Sequence, residues 1–291
     1  MNSFEVLEQE DFQGTQNSSL TIRTQFDDVI LNSIRIVLLE HIPIYAITKN
    51  NISIDSRKNI IINNDMIKAR LTCLPLFNIT SNKLELDDEE DEINFEMFIN
   101  YKNDSAEVFF ITTNHIEYYK NNQPILNIFN NIEPIVLCAI PPNSELIIRM
   151  TASLGIGNHN AIFRSVGQAF NKGDGIFRIE SSGQHTELEL LEKTFQILIL
   201  KLNKLRDFIH QINFDNINPG EQITLILIGE DVCVYNILNL GLQNHTDTEY
   251  SGINQPDLLK EEYHIKFAFN TDKKPKNIID DIIDEYIQLF S

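Results

Sequence analysis

The histidines and cysteines, which most often serve as bases, nucleophiles or metal ligands, are widely spaced in this sequence. Cys73, Cys138 and Cys233 form no C-x-x-C pair, so we expect no zinc ribbon. The seven histidines contain no i, i+4 pair; they are His41, His115, His159, His185, His210, His245 and His264. The sequence also lacks H-E-x-x-H, G-x-S-x-G and Walker signatures. These observations favour a protein without an active site of its own.

Two further segments could in principle hold a ligand. The run DDEEDE, residues 87–92, favours a solvated loop over a divalent-metal site, because calcium and magnesium need spaced, convergent oxygens. The segment LGIGNHNAIF contains Gly155 and Gly157, but Asn160 breaks the G-x-G-x-x-G pattern and no G-K-[ST] follows. It is typical of a backbone turn that needs glycine. His159 lies in this turn, and both a structural and a functional role remain open for it.

The composition is that of an acidic, globular chain. Of the 291 residues, 42% are hydrophobic, and 42 acidic against 23 basic residues give a formal net charge of −19. Such a chain is not expected to grip nucleic acid by itself, because that affinity comes mainly from cations on phosphates. The first residues, MNSFEVLEQEDFQ, lack the apolar core of a signal peptide, and no apolar run is long enough for a membrane helix. We expect an intracellular protein of two or three compact units.

The elements that would position a site begin with a strand over residues 18–26 and an amphipathic helix over 29–40. Asp27 or Asp28 offers the N-cap, and Pro43 ends the segment. Ile30, Ile34, Val37 and Leu38 share one helical face, which predicts a core contact. Arg35 stands among these apolar residues. It is either a snorkelling residue at the core edge or a contact for a partner.

A second copy of the same order of elements follows later in the chain. Strand, acidic cap, helix, later strand and long helix occur in residues 18–48 plus 176–211, and again in 222–290. The long helix over 186–211 has a predicted capping box of Thr186 and Glu189. The polar segment NFDNINPGEQ separates the copies and is typical of a linker. The residues between the two parts of the first copy alternate repeatedly and predict a β-rich insert.

The stretch LNSIRIVLLEHIPIYAI, residues 31–47, resembles the hallmark of the alpha family of multisubunit RNA polymerases, approximately N-A-L-R-R-x-L-L-x-x-I-P-x-x-A. That family includes the bacterial alpha subunit, its larger archaeal counterpart and the third-largest subunit of RNA polymerase II. The matching residues are Asn32, Arg35, Leu38, Leu39, Ile42, Pro43 and Ala46. Ile36 departs from the pattern, because the family usually has a second arginine there.

Three more segments carry the resemblance. NNDMIKARLTCLPL resembles the family's next block, with Asn64, Ile67, Arg70, Leu71, Pro75 and Leu76 in place. SLGIGNHNAIF resembles its K-G-x-G-x-x-H-A-K-W segment through Gly155, Gly157, His159 and Ala161, although Asn160 interrupts it and Phe163 replaces the tryptophan. IFRIESSGQHTELELLEKTFQILILKL resembles the strand and long helix that close the alpha dimerisation domain.

The C-terminal copy resembles the small alpha-like partner, which is the smaller archaeal alpha-like protein or the eleventh subunit of RNA polymerase II. GEDVCVYNILNLGLQNH stands where that family has E-D-H-T-x-G-N-x-L, matching at Glu230, Asp231, Asn236 and Leu238 and departing at Val232, Cys233 and Tyr235. NQPDLLKEEYHIKF resembles its P-H-P-L-x-x-x-x-x-I-K-I stretch. One chain with both halves is similar to the fused subunits of large nucleocytoplasmic DNA viruses.

The resemblance implies an α+β fold with two alpha-like dimerisation domains that form an intramolecular pseudo-dimer, the first carrying an inserted β-rich domain. The implied domains are 1–48 with 176–212 for the first half, 49–175 for the insert, 213–221 for the linker and 222–291 for the second half. The implied function is a non-catalytic assembly platform of a DNA-directed RNA polymerase. Its partners would be the largest and second-largest subunits and small accessory subunits. DNA and RNA would be reached only through the complex, without any membrane.

The resemblance also implies roles for particular residues. The partner interface would contain Asn32, Arg35, Pro43, Arg70, Gly155, Gly157 and His159. The pseudo-dimer packing would contain Ile34, Leu38, Leu198, Leu202, Leu205, Ile237, Leu238, Ile282 and Ile283. No zinc or iron–sulfur cluster is expected, and catalytic magnesium would belong to the largest subunit. If the chain is viral, it would occur in the virion and the host-cell cytoplasm.

Two other classes of function remain open on the sequence. One is an acidic scaffold or interaction protein unrelated to polymerases. The other is an enzyme whose site is assembled from distant carboxylates and histidines and is therefore not visible as a motif.

Overall fold

The computed structural model describes residues 4–11, 18–57, 63–86, 93–129, 132–214, 218–229, 231–271 and 273–291. This part of the chain folds into mixed α and β structure, with five α-helices and several sheets. The helices are α1 (Asp28–Glu40), α2 (Asn64–Leu71), α3 (Glu187–His210), α4 (Val232–Asn244) and α5 (Pro275–Phe290). In this part, no helix is both long and apolar enough to cross a membrane.

The strands are numbered in chain order. The first eight are β1 (Phe4–Asp11), β2 (Ser18–Thr24), β3 (Ile44–Ala46), β4 (Ile52–Arg57), β5 (Phe95–Asn103), β6 (Phe109–Thr112), β7 (Glu117–Lys120) and β8 (Gln123–Ile125). The others are β9 (Val136–Ile140), β10 (Ser144–Thr151), β11 (Ser153–Gly155), β12 (Val166–Gly173), β13 (Ile176–Ser181), β14 (Ile223–Ile228), β15 (Thr248–Asn254) and β16 (Glu262–Phe269).

Two of the sheets carry the repeated order of elements. The first has the strand order β1-β2-β13-β12, and the second has the order β14-β16-β15, with every pair antiparallel. In each sheet a strand leads directly into a helix of 13 residues, β2 into α1 and β14 into α4. The partner of that strand leads into a longer helix, β13 into α3 and β16 into α5.

The four helices α1, α3, α4 and α5 meet in one hydrophobic core with residues from both sheets. The hydroxyl of Ser33 in α1 donates to the carbonyl of Cys233 in α4 at 3.1 Å. The rings of Phe195 in α3 and Phe290 in α5 are stacked with centroids 5.7 Å apart. Burial of this shared apolar surface is the main stabilising contribution that holds the two sheets together.

A second hydrophobic core belongs to the region between β3 and β11. It is built mainly from α2, the five-stranded sheet β4-β10-β5-β7-β8 and the two-stranded sheet of β6 and β9. Tyr45, Phe95 and Phe129 are among its largest fully buried side chains. This second core gives the β-rich segment a hydrophobic interior of its own.

Two features differ from the expectations set by the sequence. Strand β1 was not expected in the acidic first residues. Strand β12, placed in the insert by the proposed boundaries, instead pairs with β13 in the first sheet. Alternation predicts a strand but not its pairing partner, which long-range packing decides. The acidic run 87–92 lies outside the described residues.

Candidate functional site

The outer side of α1 presents a polar pair beside the helix's buried face. Ile34 and Leu38 are almost fully buried, whereas Asn32 is exposed and Arg35 is half-buried. The guanidinium of Arg35 donates from Nε and Nη2 to Oδ1 of Asn32 at 3.1 and 3.0 Å. Residues three apart are neighbours on a helix, so this pair fixes the orientation of the arginine at the surface.

The glycine turn closes on the last carbonyls of α1. A Cβ at Gly157 would lie 3.0 Å from the carbonyl carbon of Leu39 and closer still to its oxygen. The backbone N–H of Asn158 donates to the carbonyl of Glu40 at 3.0 Å. The hydroxyl of Ser165 donates to the carbonyl of Leu38 at 2.7 Å. Glycine is required for this approach, and the turn satisfies carbonyls that a helix end leaves open. His159, in the same turn, is exposed.

The chain after the helix pairs with the strand that precedes the glycine turn. Pro43 is buried, and β3 then pairs with β11, so that Ile44 lies opposite Gly155. A Cβ at Gly155 would lie 2.7 Å from the ring of Phe163. Two segments more than 100 residues apart in sequence are therefore joined backbone to backbone.

A buried glutamine fixes the outer edge of β3. The side-chain N–H of Gln184 donates to the carbonyl of Tyr45 at 2.6 Å, and its oxygen accepts from the Tyr45 N–H at 3.3 Å. The amide side chain thus takes the place of a neighbouring strand. Polar main-chain groups that are buried need such partners, so Gln184 allows β3 to lie at this junction.

The second block begins with helix α2 and then runs towards the same junction. Asn63 caps α2 by accepting from the N–H of Asp65 at 3.0 Å. Arg70 is exposed, and its Nη1 donates to the carbonyl of Leu137 at 3.3 Å. Burial raises the pKa of the neighbouring Cys138 thiol to about 11, while the Arg70 charge acts to lower that pKa. Arg70 is therefore partly engaged by its own chain.

The three blocks converge on one open groove of about 360 Å³. Its lining comes from β3, from the chain after α2, from the turn that follows the glycines and from the loop between β13 and α3: Ile44, Tyr45, Ala46, Thr72, Cys73, Leu74, Pro75, Ala161, Ile162, Arg164, Ser182 and Gln184. Arg164 is the charged residue of this lining, and the other lining residues are apolar or polar without charge. The groove suits recognition of a protein surface better than chemistry, because it brings together no base with a nucleophile.

His41 ends α1 in a buried position beside a charged pair. Its Nε2 is buried and has no hydrogen-bond partner among the described residues. The pKa of His41 is lowered to about 4, mainly by burial and also by the nearby Lys201 charge, while the Asp231 charge opposes the shift. Lys201 forms an ion pair with Asp231 at the start of α4. The imidazole is therefore neutral at pH 7 and acts as a packed residue at the junction of α1, α3 and α4.

The residues expected to pack between the two halves all lie in the first core. They come from all four of its helices and are almost fully buried: Ile34, Leu38, Leu198, Leu202, Leu205, Ile237, Leu238, Ile282 and Ile283. Gly241 allows α4 and α5 to approach closely, because its Cβ position is occupied by side chains of Ile282 and Tyr286. The helices and sheets of the two repeated units thus share one interior rather than meeting at a solvated boundary.

Neither a metal site nor a catalytic constellation is visible among the residues that the structure describes. No three His, Cys, Asp or Glu side chains in those ranges gather in a way that could hold a metal ion. Cys73, Cys138 and Cys233 are free thiols, and the last two are buried. The chemistry available at the groove is therefore hydrogen bonding, apolar contact and the positive charge of Arg164.

Some of the residues that build this surface could not be singled out from the sequence. Gln184 and Ser165 act through contacts across more than 100 residues, and no motif marks them. The Asn32–Arg35 pair was recoverable in principle, since a spacing of three on a predicted helix makes the two side chains neighbours. The hydrogen bond from Arg70 to the β9 backbone could not be predicted, because it joins residues 67 apart in sequence.

Comparison with known proteins finds a relative, which is named as an RNA polymerase subunit. No model of a protein family matches the chain. The chain is 27% identical over 163 residues to a protein of Acanthamoeba polyphaga mimivirus that is named "Putative DNA directed RNA polymerase subunit R470". The similarity covers 54% of this chain and 46% of that protein, so the chain matches about half the length of its relative.

Proposed function

We propose that this protein is a non-catalytic subunit of a multisubunit DNA-directed RNA polymerase. Its two alpha-like halves would pair within one chain and dock the largest and second-largest subunits. The observation that carries the proposal is the convergence of three alpha-like sequence blocks on the junction of α1, β3, β11 and the groove. The similarity to the mimivirus protein supports the same role.

The packing of the two repeated units supports the intramolecular pairing. In each unit a strand leads into a helix of 13 residues, and the partner strand leads into a longer helix. The four helices of the two units then share one core. A pseudo-dimer needs such a self-complementary arrangement, in which like elements of both halves meet near a common axis. The contact between Ser33 of α1 and Cys233 of α4 lies between two like helices.

The proposed interface includes Asn32, Arg35 and the surface around Pro43, with Arg70, Gly155, Gly157 and His159 nearby. Arg35 is the strongest contact candidate, because a guanidinium offers five donors in a fixed fork. The buried Pro43 and the close-packed glycines would act by shaping the surface. Exposed His159 could contact a partner directly.

The proposal includes expectations about composition and location. The chain would hold no structural zinc or iron–sulfur cluster, and magnesium would be bound by the largest subunit. Small accessory subunits would bind the assembled complex, which alone would contact DNA and RNA. The mimivirus relative supports a viral source. If the chain is viral, we expect the protein in virions and in the host-cell cytoplasm.

Affinity purification tests this function. The tagged full chain is expressed in cells that also produce the largest and second-largest subunits of the same polymerase, and the eluted chains are identified by mass spectrometry. The proposal predicts that both large subunits elute with it in stoichiometric amounts. If neither large subunit elutes with the chain, the polymerase role is refuted. A zinc assay on the same purified chain should find less than one zinc per molecule.

A further inference from the structure

Strand β14 forms one edge of the second sheet. It pairs with β16, and no strand among the described residues pairs with its other side. The N–H of Gly229 continues the ladder by donating to the carbonyl of Glu261 at 2.8 Å. Since antiparallel pairs alternate in their hydrogen bonding, Thr224 and Ile226 direct their backbone groups towards the open edge. The edge is thus a template for one more strand.

The side chains around this edge are apolar and exposed. Ile226 and Ile228 are 48% and 76% exposed, and Phe208 of α3 is 44% exposed. These three residues line one groove of about 240 Å³ together with Leu205, and the charged residues Lys201, Lys204 and Asp231 also line it. Edge strands are usually protected by charges, prolines or a covering segment. Strand β14 itself carries no charged residue and presents isoleucines beside Phe208, so its edge is suited to burial by a partner.

The first sheet has the same edge, and there it is covered. Strand β2 precedes α1 as β14 precedes α4, and β1 pairs antiparallel along β2. Phe4 of β1 lies opposite Thr24 and packs against the shared core. It lines a groove with Tyr286 of α5, in the other half. The groove at β14 is likewise lined by the long helix of the other half, α3. Strand β1 on β2 is therefore an example, within the same chain, of an extended segment that covers such an edge.

We propose that the open edge of β14 accepts an extended segment of a partner protein, which adds antiparallel to the sheet as β1 does to β2. The segment would carry a large apolar or aromatic residue opposite Ile228 that fills the groove beside Phe208. On the proposed function, the segment belongs to one of the two large polymerase subunits. A second copy of this chain is a poorer occupant, because its net charge of −19 makes two copies repel each other.

The main test variant is Ile226→Pro. Proline is tolerated on an edge strand where its missing N–H faced solvent, so the ladder with β16 remains intact while an added strand loses a donor. Ile226→Lys is the second variant, because a lysine at the same point opposes edge pairing without changing the backbone. Leu259→Lys is the matched control, since Leu259 is 95% exposed and lies outside the sheet. Thermal melting of each chain verifies folding.

Wild type and variants are co-expressed in full length with the two large subunits, and the recovery of each subunit is measured. The proposal predicts that both Ile226 variants recover about tenfold less of one large subunit, a loss of about 1.4 kcal/mol by conversion, while Leu259→Lys recovers the wild-type amount. Hydrogen exchange should show slower exchange at Thr224 and Ile226 in the wild-type complex than in the free chain.

Other results would overturn the proposal in distinguishable ways. If folded Ile226 variants recover both subunits like wild type, the edge is not a docking site, and the polymerase role stands. If sedimentation shows a wild-type dimer that Ile226→Lys dissociates, the occupant is a second copy. If wild type recovers neither large subunit, the proposed function is refuted, and so is the proposal that a segment of a large subunit binds β14.

Discussion

Replacing Arg35 by glutamate separates a binding role of this residue from a packing role. In the folded chain the guanidinium makes its two side-chain hydrogen bonds to the exposed Asn32, at 3.1 and 3.0 Å. Net hydrogen bonds contribute about 0.5 to 1.5 kcal/mol, and exposed ones lie at the lower end. We therefore expect Arg35→Glu to reduce the free energy of unfolding by less than about 1 kcal/mol. The melting temperature would fall by a few degrees at most.

The effect of the same substitution on assembly should be much larger. Breaking one side of a buried interface charge pair leaves the partner's group unpaired and costs about 2 to 5 kcal/mol. That range corresponds to a weakening of Kd by about thirtyfold to several thousandfold. The assay compares thermal melts of the free chain with binding of the second-largest subunit. Arg149→Glu is the control, because this exposed arginine lies in β10, outside α1 and the groove.

Two results would refute the reasoning about Arg35. A variant that melts far below wild type would assign the arginine to packing at the core edge, as a snorkelling residue. A variant that melts normally and binds the second-largest subunit within about threefold of wild type, a difference below about 1 kcal/mol, would remove Arg35 from the interface.

Three further predictions concern the glycine turn, the buried His41 and the shared helical core. Gly157→Ala places a methyl group against a carbonyl of α1 and should cost about 1 to 3 kcal/mol of stability in denaturant unfolding, whereas Gly252→Ala, which has open space, should cost less than about 1. The folded-state pKa of His41, about 4, lies below its ordinary value of 6.5, so the unfolded chain takes the proton first. His41 should therefore lower the free energy of unfolding by up to about 3 kcal/mol as pH drops from about 6.5 to about 4. Burial also lowers the pKa of His185 to about 4, which adds to the fall, so a His41→Asn variant should lose less than wild type over that range but still lose some stability. Co-expressed fragments 1–212 and 218–291 should co-purify through the shared helical core; two separately soluble fragments without affinity would contradict the pseudo-dimer.

The helices of the first core were predictable because local signals agree with the global packing. The apolar spacing in α1 and α3 matches their buried faces. The expected capping box of α3 is confirmed: the Thr186 hydroxyl accepts from the Glu189 N–H at 3.3 Å, and the Glu189 carboxylate accepts from the Thr186 N–H at 2.9 Å. Caps and periodicity are local properties of a helix, so a single sequence reports them directly.

The strands and the groove depended on contacts that no local pattern reports. Strand β1 has mostly exposed side chains, and several acidic ones among them, so it lacks the apolar alternation that predicts a strand. The pairing of β12 with β13 and of β3 with β11 is decided by long-range packing. Family resemblance marked the three blocks separately. Their meeting around Gln184 became evident only in the folded chain.

On the proposed function, this chain is needed to bring the two large subunits of the polymerase together. The most direct measurement is the mass, by native mass spectrometry, of complexes reconstituted from the purified largest and second-largest subunits with and without the full chain. The proposed assembly role predicts a complex with one copy of each of the three proteins when the chain is present, and unassociated large subunits when it is omitted. Large subunits that associate equally well without the chain, in a complex that excludes it, would contradict that role.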